Sequence, residues 1–115
     1  MEKPNILATE EITEGLKSLP GWTYKDNKIS KEFSFSDFMG SLNFINELAP
    51  YCQALDHHPD VHIFYSKVLF ELQRFDVGQG ASEAGSAGLP VSGKVTDKDF
   101  LVAHKIEELY KRPTD

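Results

Sequence analysis

The chain has 115 residues, 40% of them hydrophobic, which is enough for one domain with a core of its own. Its 12 basic and 18 acidic residues give a formal net charge of -6, and this argues against nucleic acid as a direct partner, because phosphate binding relies on basic patches. No apolar run approaches the ~18 residues that a membrane span needs, and no signal-peptide core is present at the start. With a single cysteine, Cys52, these features predict a protein of the cytoplasm.

A short helix is predicted near the N-terminus. Thr9 is its expected cap, because a hydroxyl can accept a backbone hydrogen bond and the acidic Glu10 and Glu11 follow in the first turn. Pro20-Gly21 ends the helical stretch. Trp22 follows directly and is expected to fill the core, as large aromatic residues usually do.

A β-hairpin is predicted next, with one arm over 22–24 and the other over 29–35. Asp26-Asn27 supplies the turn between the arms. Apolar side chains alternate along the second arm, apart from Lys31, which falls on the apolar face.

A long helix is predicted from Ser36-Asp37 to about Leu55, with a kink or an early end near Ala49 because Pro50 follows. Its apolar side is broad enough to pack on a sheet and also on a partner subunit, and packing in the core is the favoured interpretation. The residues of this side are Phe38, Met39, Leu42, Phe44, Ile45, Leu48 and Ala49.

The second half predicts two strands and a last helix. The runs 61–65 and 68–73 alternate as strands do, either as a hairpin or as one long bent strand. A Gly/Ser-rich stretch at about 78–93 is typical of a surface loop, and Thr96 begins the last helix. The order predicts an α+β fold, an α-β-β-α-β-β-α sandwich with helices on one face of an antiparallel sheet.

Candidate chemistry concentrates in Asp56-His57-His58-Pro59-Asp60, between the long helix and the next strand. Histidine, with an ordinary pKa of about 6.5, can accept or donate protons near neutral pH, and the flanking carboxylates could fix its tautomers. The alternative is a surface turn that happens to carry acids and histidines. Metal binding is less favoured, because adjacent residues of an extended segment point to opposite faces.

This stretch, followed by Tyr65-Ser66-Lys67-Val68, resembles the signature of the pterin-4a-carbinolamine dehydratases. In that family His-His-Pro-acid is followed five residues later by Tyr-x-Lys-Val. The resemblance covers nearly the whole chain apart from the loop at 78–93, and its further elements are Gly21-Trp22, Phe33-x-Phe35-x-x-Phe38 and Thr96-x-x-Asp99-x-x-x-Ala103.

The resemblance implies one domain over 1–115 that dehydrates 4a-hydroxytetrahydropterin to quinonoid dihydropterin and water, as in tetrahydrobiopterin recycling. It implies no metal and no organic cofactor. It also implies a homodimer or homotetramer, with sheets joined between subunits and the long helices packed together. His57 and His58 take the acid-base roles, and the substrate contacts fall on Asp56, Pro59, Asp60, Arg74 and Phe75.

The chain departs from the family pattern at two positions. Phe75 stands where a third histidine is expected, and Gln53 stands where an acid often precedes the first histidine. Asp76 could supply the missing catalytic group if the strand end bulges, or His62 or His104 could reach the site. Otherwise activity is weakened or altered. The alternative function is a non-catalytic binding or assembly module, chaperone-like, on the same fold.

Overall fold

Three helices and four strands follow the predicted order in the part of the chain that the structure describes. The structure is a computed structural model and describes residues 5–73 and 94–111. The α+β prediction is confirmed, whereas the predicted loop at 78–93 lies outside the described residues. The elements are α1 (Thr9–Leu16), β1 (Thr23–Lys25), β2 (Lys28–Ser34), α2 (Phe38–Leu55), β3 (Asp60–Phe64), β4 (Lys67–Leu72) and α3 (Asp97–Lys111).

The described strands form one antiparallel sheet in the order β1-β2-β4-β3. Its central pair is β2 and β4, in a register that places Phe33 opposite Val68. β3 and β4 form a hairpin rather than one bent strand, because the chain reverses at Tyr65-Ser66, where Tyr65 has a φ of 60°. The inner face of the sheet is buried at Ile29, Phe33, Val68, Phe70 and Leu72, where α2 and α3 pack.

Trp22 is buried in the core as predicted, and a polar contact explains the exception at Lys31. The Trp22 indole Nε1 donates to the Glu107 Oε2 atom at 2.8 Å, and the Lys31 Nζ atom donates to the same oxygen at 2.7 Å. A buried indole N–H needs an acceptor, and a lysine on an apolar face needs a counter-charge. One carboxylate of α3 serves both, so Lys31 lies within the alternating pattern of β2 without an unpaired charge.

The predicted cap of α1 was wrong. Ala8 is the capping residue, and Thr9 is the first residue of the helix. The Glu11 Oε1 atom accepts a hydrogen bond from the Ala8 backbone N–H at 2.8 Å, which is the glutamate half of a capping box, and the alanine supplies no hydroxyl for the other half.

α2 begins where predicted and ends at Leu55 as predicted, whereas an early end near Ala49, one of the two effects expected of Pro50, is wrong. The Asp37 Oδ1 atom accepts from the Gly40 N–H at 2.8 Å, which caps the helix, and the helix then continues through Pro50 to Leu55. Pro50 and Asn46, four residues before it, are both exposed, so the carbonyl that loses its helical donor can reach water. No helix in the described residues has the length and apolarity to cross a membrane.

The buried side of α2 differs in part from the predicted one. Ser41, Phe44, Leu48 and Cys52 are buried, whereas Phe38 and Met39 are 45% and 58% exposed. Ala49 is also exposed. The broad apolar side is therefore divided: one stripe packs on the sheet, and the residues beside it lie on the outer surface of this chain.

Candidate active site

The site starts from the turn that ends α2. Asp56 adopts the left-handed conformation, with φ 56° and ψ 46°, which aspartate tolerates better than most residues. The Asp56 N–H donates to the Gln53 carbonyl at 3.2 Å, and the His57 N–H donates to the Cys52 carbonyl at 3.1 Å. These are the two bonds of a Schellman motif. The motif reverses the chain and leaves His57 buried and His58 exposed.

His57 is held in the interior by a carboxylate. It is 2% exposed, and its Nε2 atom contacts the Oδ1 atom of Asp99, which is 0% exposed. A carboxylate oxygen that lacks a proton can only accept, so the Nε2 atom of His57 carries the hydrogen. Buried charged groups are tolerated when they are paired and hydrogen-bonded. The ring therefore has a fixed position and a charged partner.

Asp99 is in turn fixed at the start of α3. Its Oδ2 atom accepts from the Thr96 N–H at 2.7 Å and from the Thr96 hydroxyl at 3.3 Å. A carboxylate in the first turn is also favoured by the helix dipole. The helix start predicted at Thr96 is confirmed. The contact between Asp99 and His57 was not predicted, because the two residues are 42 positions apart and only the fold joins them.

Hydrogen bonds from the N-terminal segment also stabilise the start of α3. The Asp97 N–H donates to the Asn5 carbonyl at 3.0 Å, and the Asn5 N–H donates to the Asp97 Oδ1 atom at 2.9 Å. The Leu7 N–H donates to the Val95 carbonyl at 3.0 Å. The start of α3, and with it Asp99, is thus held by the first residues of the described chain.

His58 has a different environment. It is exposed, and its Nε2 atom lies 3.3 Å from the Gln53 Oε1 atom, one turn back along α2. Pro59 follows directly and favours an extended backbone at His58. His58 is therefore oriented by a neutral amide at the surface, beside a ring that is oriented by a carboxylate in the interior.

Three of the remaining predicted residues flank this pair in the chain. Asp56 forms the turn, Pro59 is half-buried, and Asp60 is exposed and opens β3. Their contacts with substrate stay predictions, and so do those of Arg74, Phe75 and Asp76, which lie outside the described residues.

The two alternative histidines contact other parts of the molecule. The His62 Nε2 atom lies 3.0 Å from the Glu71 Oε1 atom on the sheet, and the His104 Nε2 atom lies 3.5 Å from the Ser18 hydroxyl. Burial raises the pKa of the Glu71 carboxyl, but hydrogen bonds from Lys28 and His62 outweigh it and hold that pKa below its usual value. Neither ring is brought to the site in the described structure.

Cys52 is a poor candidate for a nucleophile. It is buried on the inner side of α2, and burial raises the pKa of its thiol to about 11. The thiolate is the reactive form, so little of it is present at neutral pH. In residues 5–73 and 94–111, no three His, Cys, Asp or Glu side chains cluster so that they could hold a metal ion.

A cavity of about 500 Å³ lies elsewhere on the molecule, between the first half of α2 and the last turn of α3. None of the predicted site residues lines it, so it is separate from the histidine pair. The residues along it are Ser34, Phe35, Ser36, Gly40, Asn43, Phe44, Glu47, Leu109 and Tyr110.

Comparison with known sequences agrees with the resemblance over nearly the whole chain. The sequence model of the family described as Pterin 4 alpha carbinolamine dehydratase matches residues 5–109. A Saccharolobus solfataricus protein assigned as a pterin-4-alpha-carbinolamine dehydratase is 41% identical over 110 residues, which cover 94% of this chain and 96% of that protein. A Metallosphaera sedula protein with the same assignment is 35% identical over 105 residues, 91% of this chain and 94% of that protein.

Two solved structures share the fold. The crystal structure of a transcriptional coactivator/pterin dehydratase from Brucella melitensis matches with a TM-score of 0.71 and 30% identity, over 91% of this chain and 98% of that one. A pterin dehydratase-like protein that is a RuBisCO assembly factor in the alpha-carboxysome matches with a TM-score of 0.50 and 17% identity, over 80% of this chain and 89% of that one. At that identity the second similarity concerns the fold alone.

Proposed function

Because the chain belongs to the pterin-4a-carbinolamine dehydratase family, we propose that it dehydrates a 4a-hydroxytetrahydropterin to the quinonoid dihydropterin and water. The observation that supports this most is the pair of differently held imidazoles at the end of α2, His57 on Asp99 and His58 at the surface. The substrate is a small pterin, and the reaction uses no metal and no organic cofactor.

The reaction needs one base and one acid. The base removes the proton from the ring nitrogen beside the hydroxyl-bearing carbon. The electron pair of the broken N–H bond then forms the second bond of the new C=N group. The acid protonates the hydroxyl as its C–O bond breaks, so that water leaves. Positioned side chains that move protons in this way contribute about 10²- to 10⁴-fold each to the rate.

His58 is proposed to contact the substrate and to accept its proton. Its ring is exposed, so a pterin can reach it without a rearrangement of the core. The Gln53 amide oxygen can only accept, so the Nε2 atom of His58 carries the hydrogen. In a neutral ring the lone pair is then on Nδ1, which is the atom that can take up a proton.

His57 is proposed to act with Asp99 as the second acid-base group. A carboxylate on one imidazole nitrogen fixes the tautomer and the orientation of the ring and stabilises its protonated form. The Thr96 contacts keep this carboxylate in place. Asp99 is then a positioning residue, since it acts on the substrate through the His57 ring.

The other parts of the site are proposals that rest on the family. Asp56, Pro59 and Asp60 border the two rings and are proposed to contact the pterin, together with Arg74 and Phe75. Asp76 is proposed to supply a carboxyl where the family has its third histidine. Dehydration by such a site is slower than in relatives that have the histidine.

A homodimer or homotetramer in the cytoplasm is the proposed form of the protein. Two uncovered surfaces of this chain support self-association: the strand β3, which is at an edge of the described sheet, and the outer side of α2 at Phe38 and Met39. Edge strands and exposed apolar patches are common sites of association.

The proposed function is tested by following the dehydration of 4a-hydroxytetrahydropterin in the presence of the wild-type protein, with buffer alone and His57→Ala as controls. We expect the wild type to exceed both rates. If the wild type is no faster than His57→Ala, the dehydratase proposal is wrong, and a non-catalytic binding module on the same fold takes its place.

A further inference from the structure

We propose that Gln53 is a positioning residue for His58: its uncharged amide oxygen accepts the hydrogen of the Nε2 atom and so leaves Nδ1 as the ring atom that can take up a proton. The catalytic meaning of this proposal rests on the proposed function. The contact itself, however, has consequences that are measurable in the free protein without any turnover.

The backbone fixes the distance between the two side chains. Gln53 lies in the last turn of α2, and its carbonyl accepts the hydrogen bond from the Asp56 N–H that closes the turn. The same turn returns the chain, so that the His58 Nε2 atom reaches the Gln53 Oε1 atom at 3.3 Å. The turn places the two residues within reach of each other, so that no rearrangement of the backbone is needed for the contact.

The chemistry of the acceptor separates the two histidines. The acceptor of the His57 ring is a carboxylate, that of Asp99, whereas the acceptor of the His58 ring is the neutral amide of Gln53. A neutral amide accepts the same N–H hydrogen bond but adds no net charge. His58 is therefore oriented by a contact that brings no charge to the ring, and its Nδ1 atom is left to accept a proton.

Other titratable groups lie in the segment that carries His58 or contact that segment. They do not differ between the variants compared below, so the effect of position 53 is isolated. They are Asp56, His57 and Asp60 in the same segment, Lys98, whose Nζ atom lies 3.4 Å from the Leu55 carbonyl, and Asp99 at the start of α3.

Two substitutions at Gln53 and one beside it test the proposal. Gln53→Glu retains an acceptor and adds a charge, and Gln53→Met has a similar length but no acceptor. Ala54→Glu is the matched control. Ala54 is exposed, and a glutamate at this position adds the same charge to the same turn without replacing Gln53. Both positions, Gln53 and Ala54, are at the surface, where substitutions usually leave the fold intact.

The first measurement is the pH titration of the His58 ring signals by NMR, assigned with His58→Gln. We expect the midpoint in Gln53→Glu to lie about 0.5 to 1 pH unit above that in Ala54→Glu, since the charge is then in contact with the ring. Equal midpoints in the two variants would overturn the proposal, whether or not the protein turns over a pterin.

The second measurement is the pH profile of dehydration. Gln53→Glu is expected to shift the acid limb of kcat/KM upward by the same amount. Gln53→Met is expected to lower kcat by about 3- to 10-fold with little change in KM, because the ring loses its orientation. An unchanged kcat in Gln53→Met would contradict the positioning role. Absence of turnover in the wild type would overturn the dehydratase proposal alone, and the NMR titration would still decide this one.

Discussion

His57 and His58 are neighbours in the chain and lie in opposite environments. His57 is buried on Asp99, which caps α3, whereas His58 is exposed and contacts a neutral amide of α2. Asp56, directly before His57, has the left-handed backbone conformation that turns the chain here. The two histidines form one sequence motif, but they differ in structure. His57 is part of the buried core, and His58 lies at the surface.

The largest expected effect is on stability, and it separates the two rings. His57→Ala leaves the Asp99 carboxylate buried without its ring and opens a cavity, so we expect a loss of about 2–4 kcal/mol in the free energy of unfolding. His58→Ala removes an exposed ring and should change it by less than about 0.5 kcal/mol. Urea unfolding followed by circular dichroism measures both. Equal losses would contradict the division.

A sharper comparison is the coupling between each ring and its partner. A double-mutant cycle of His57→Ala and Asp99→Asn is expected to give a coupling energy of about 1–3 kcal/mol, because the pair is buried and charge-assisted. The same cycle for His58→Ala and Gln53→Ala should give less than about 0.5 kcal/mol, since solvent screens that pair. A larger coupling energy for the surface pair than for the buried pair would contradict the view that the buried contact is the stronger one.

The turn between the two environments can be tested at Asp56. Asp56→Gly and Asp56→Val both remove the carboxylate, but only glycine adopts the left-handed conformation without strain. We expect Asp56→Val to lose about 1–2 kcal/mol of stability relative to Asp56→Gly. Thermal unfolding of the two variants decides the matter. If they melt together, the left-handed turn is not what orients the pair.

Cys52 and Gln53, in the last turn of α2, are also neighbours of which the first is buried and the second exposed. Burial raises the pKa of the Cys52 thiol to about 11, so at pH 8 only about a thousandth of it is the reactive thiolate. Dithionitrobenzoate should therefore label native wild type slowly. A cysteine introduced as Gln53→Cys in a Cys52→Ala background should react about tenfold faster or more. Similar rates would contradict the burial of Cys52.

Much of the fold follows from sequence patterns. The element order, the first hairpin, the core position of Trp22 and the start of α3 at Thr96 are all local properties, set by alternation, turns and caps. The exposure of Phe38 and Met39 was not predictable in the same way, because an apolar residue on a helix does not say which neighbour covers it. Whether Pro50 would end α2 early was also not decided by the sequence pattern, because that depends on whether the residue faces solvent.

The site shows the same limit more clearly. The histidine pair could be identified from five consecutive residues, and the family from a few more. The partner of His57, however, lies in another helix, and Asp99 had a sufficient local explanation as a helix cap. The role of Gln53 depends on the geometry of a turn that no residue pattern specified, since aspartate rather than glycine occupies its left-handed position.

The most direct test of the account is the kcat/KM of His58→Ala for dehydration of 4a-hydroxytetrahydropterin, measured beside its free energy of unfolding. The account predicts a fall of about 10²- to 10⁴-fold in kcat/KM with stability unchanged, because His58 moves protons and supports little of the fold. A kcat/KM within about threefold of wild type, in a protein as stable as wild type, would contradict the assignment of the exposed ring as the group that meets the substrate.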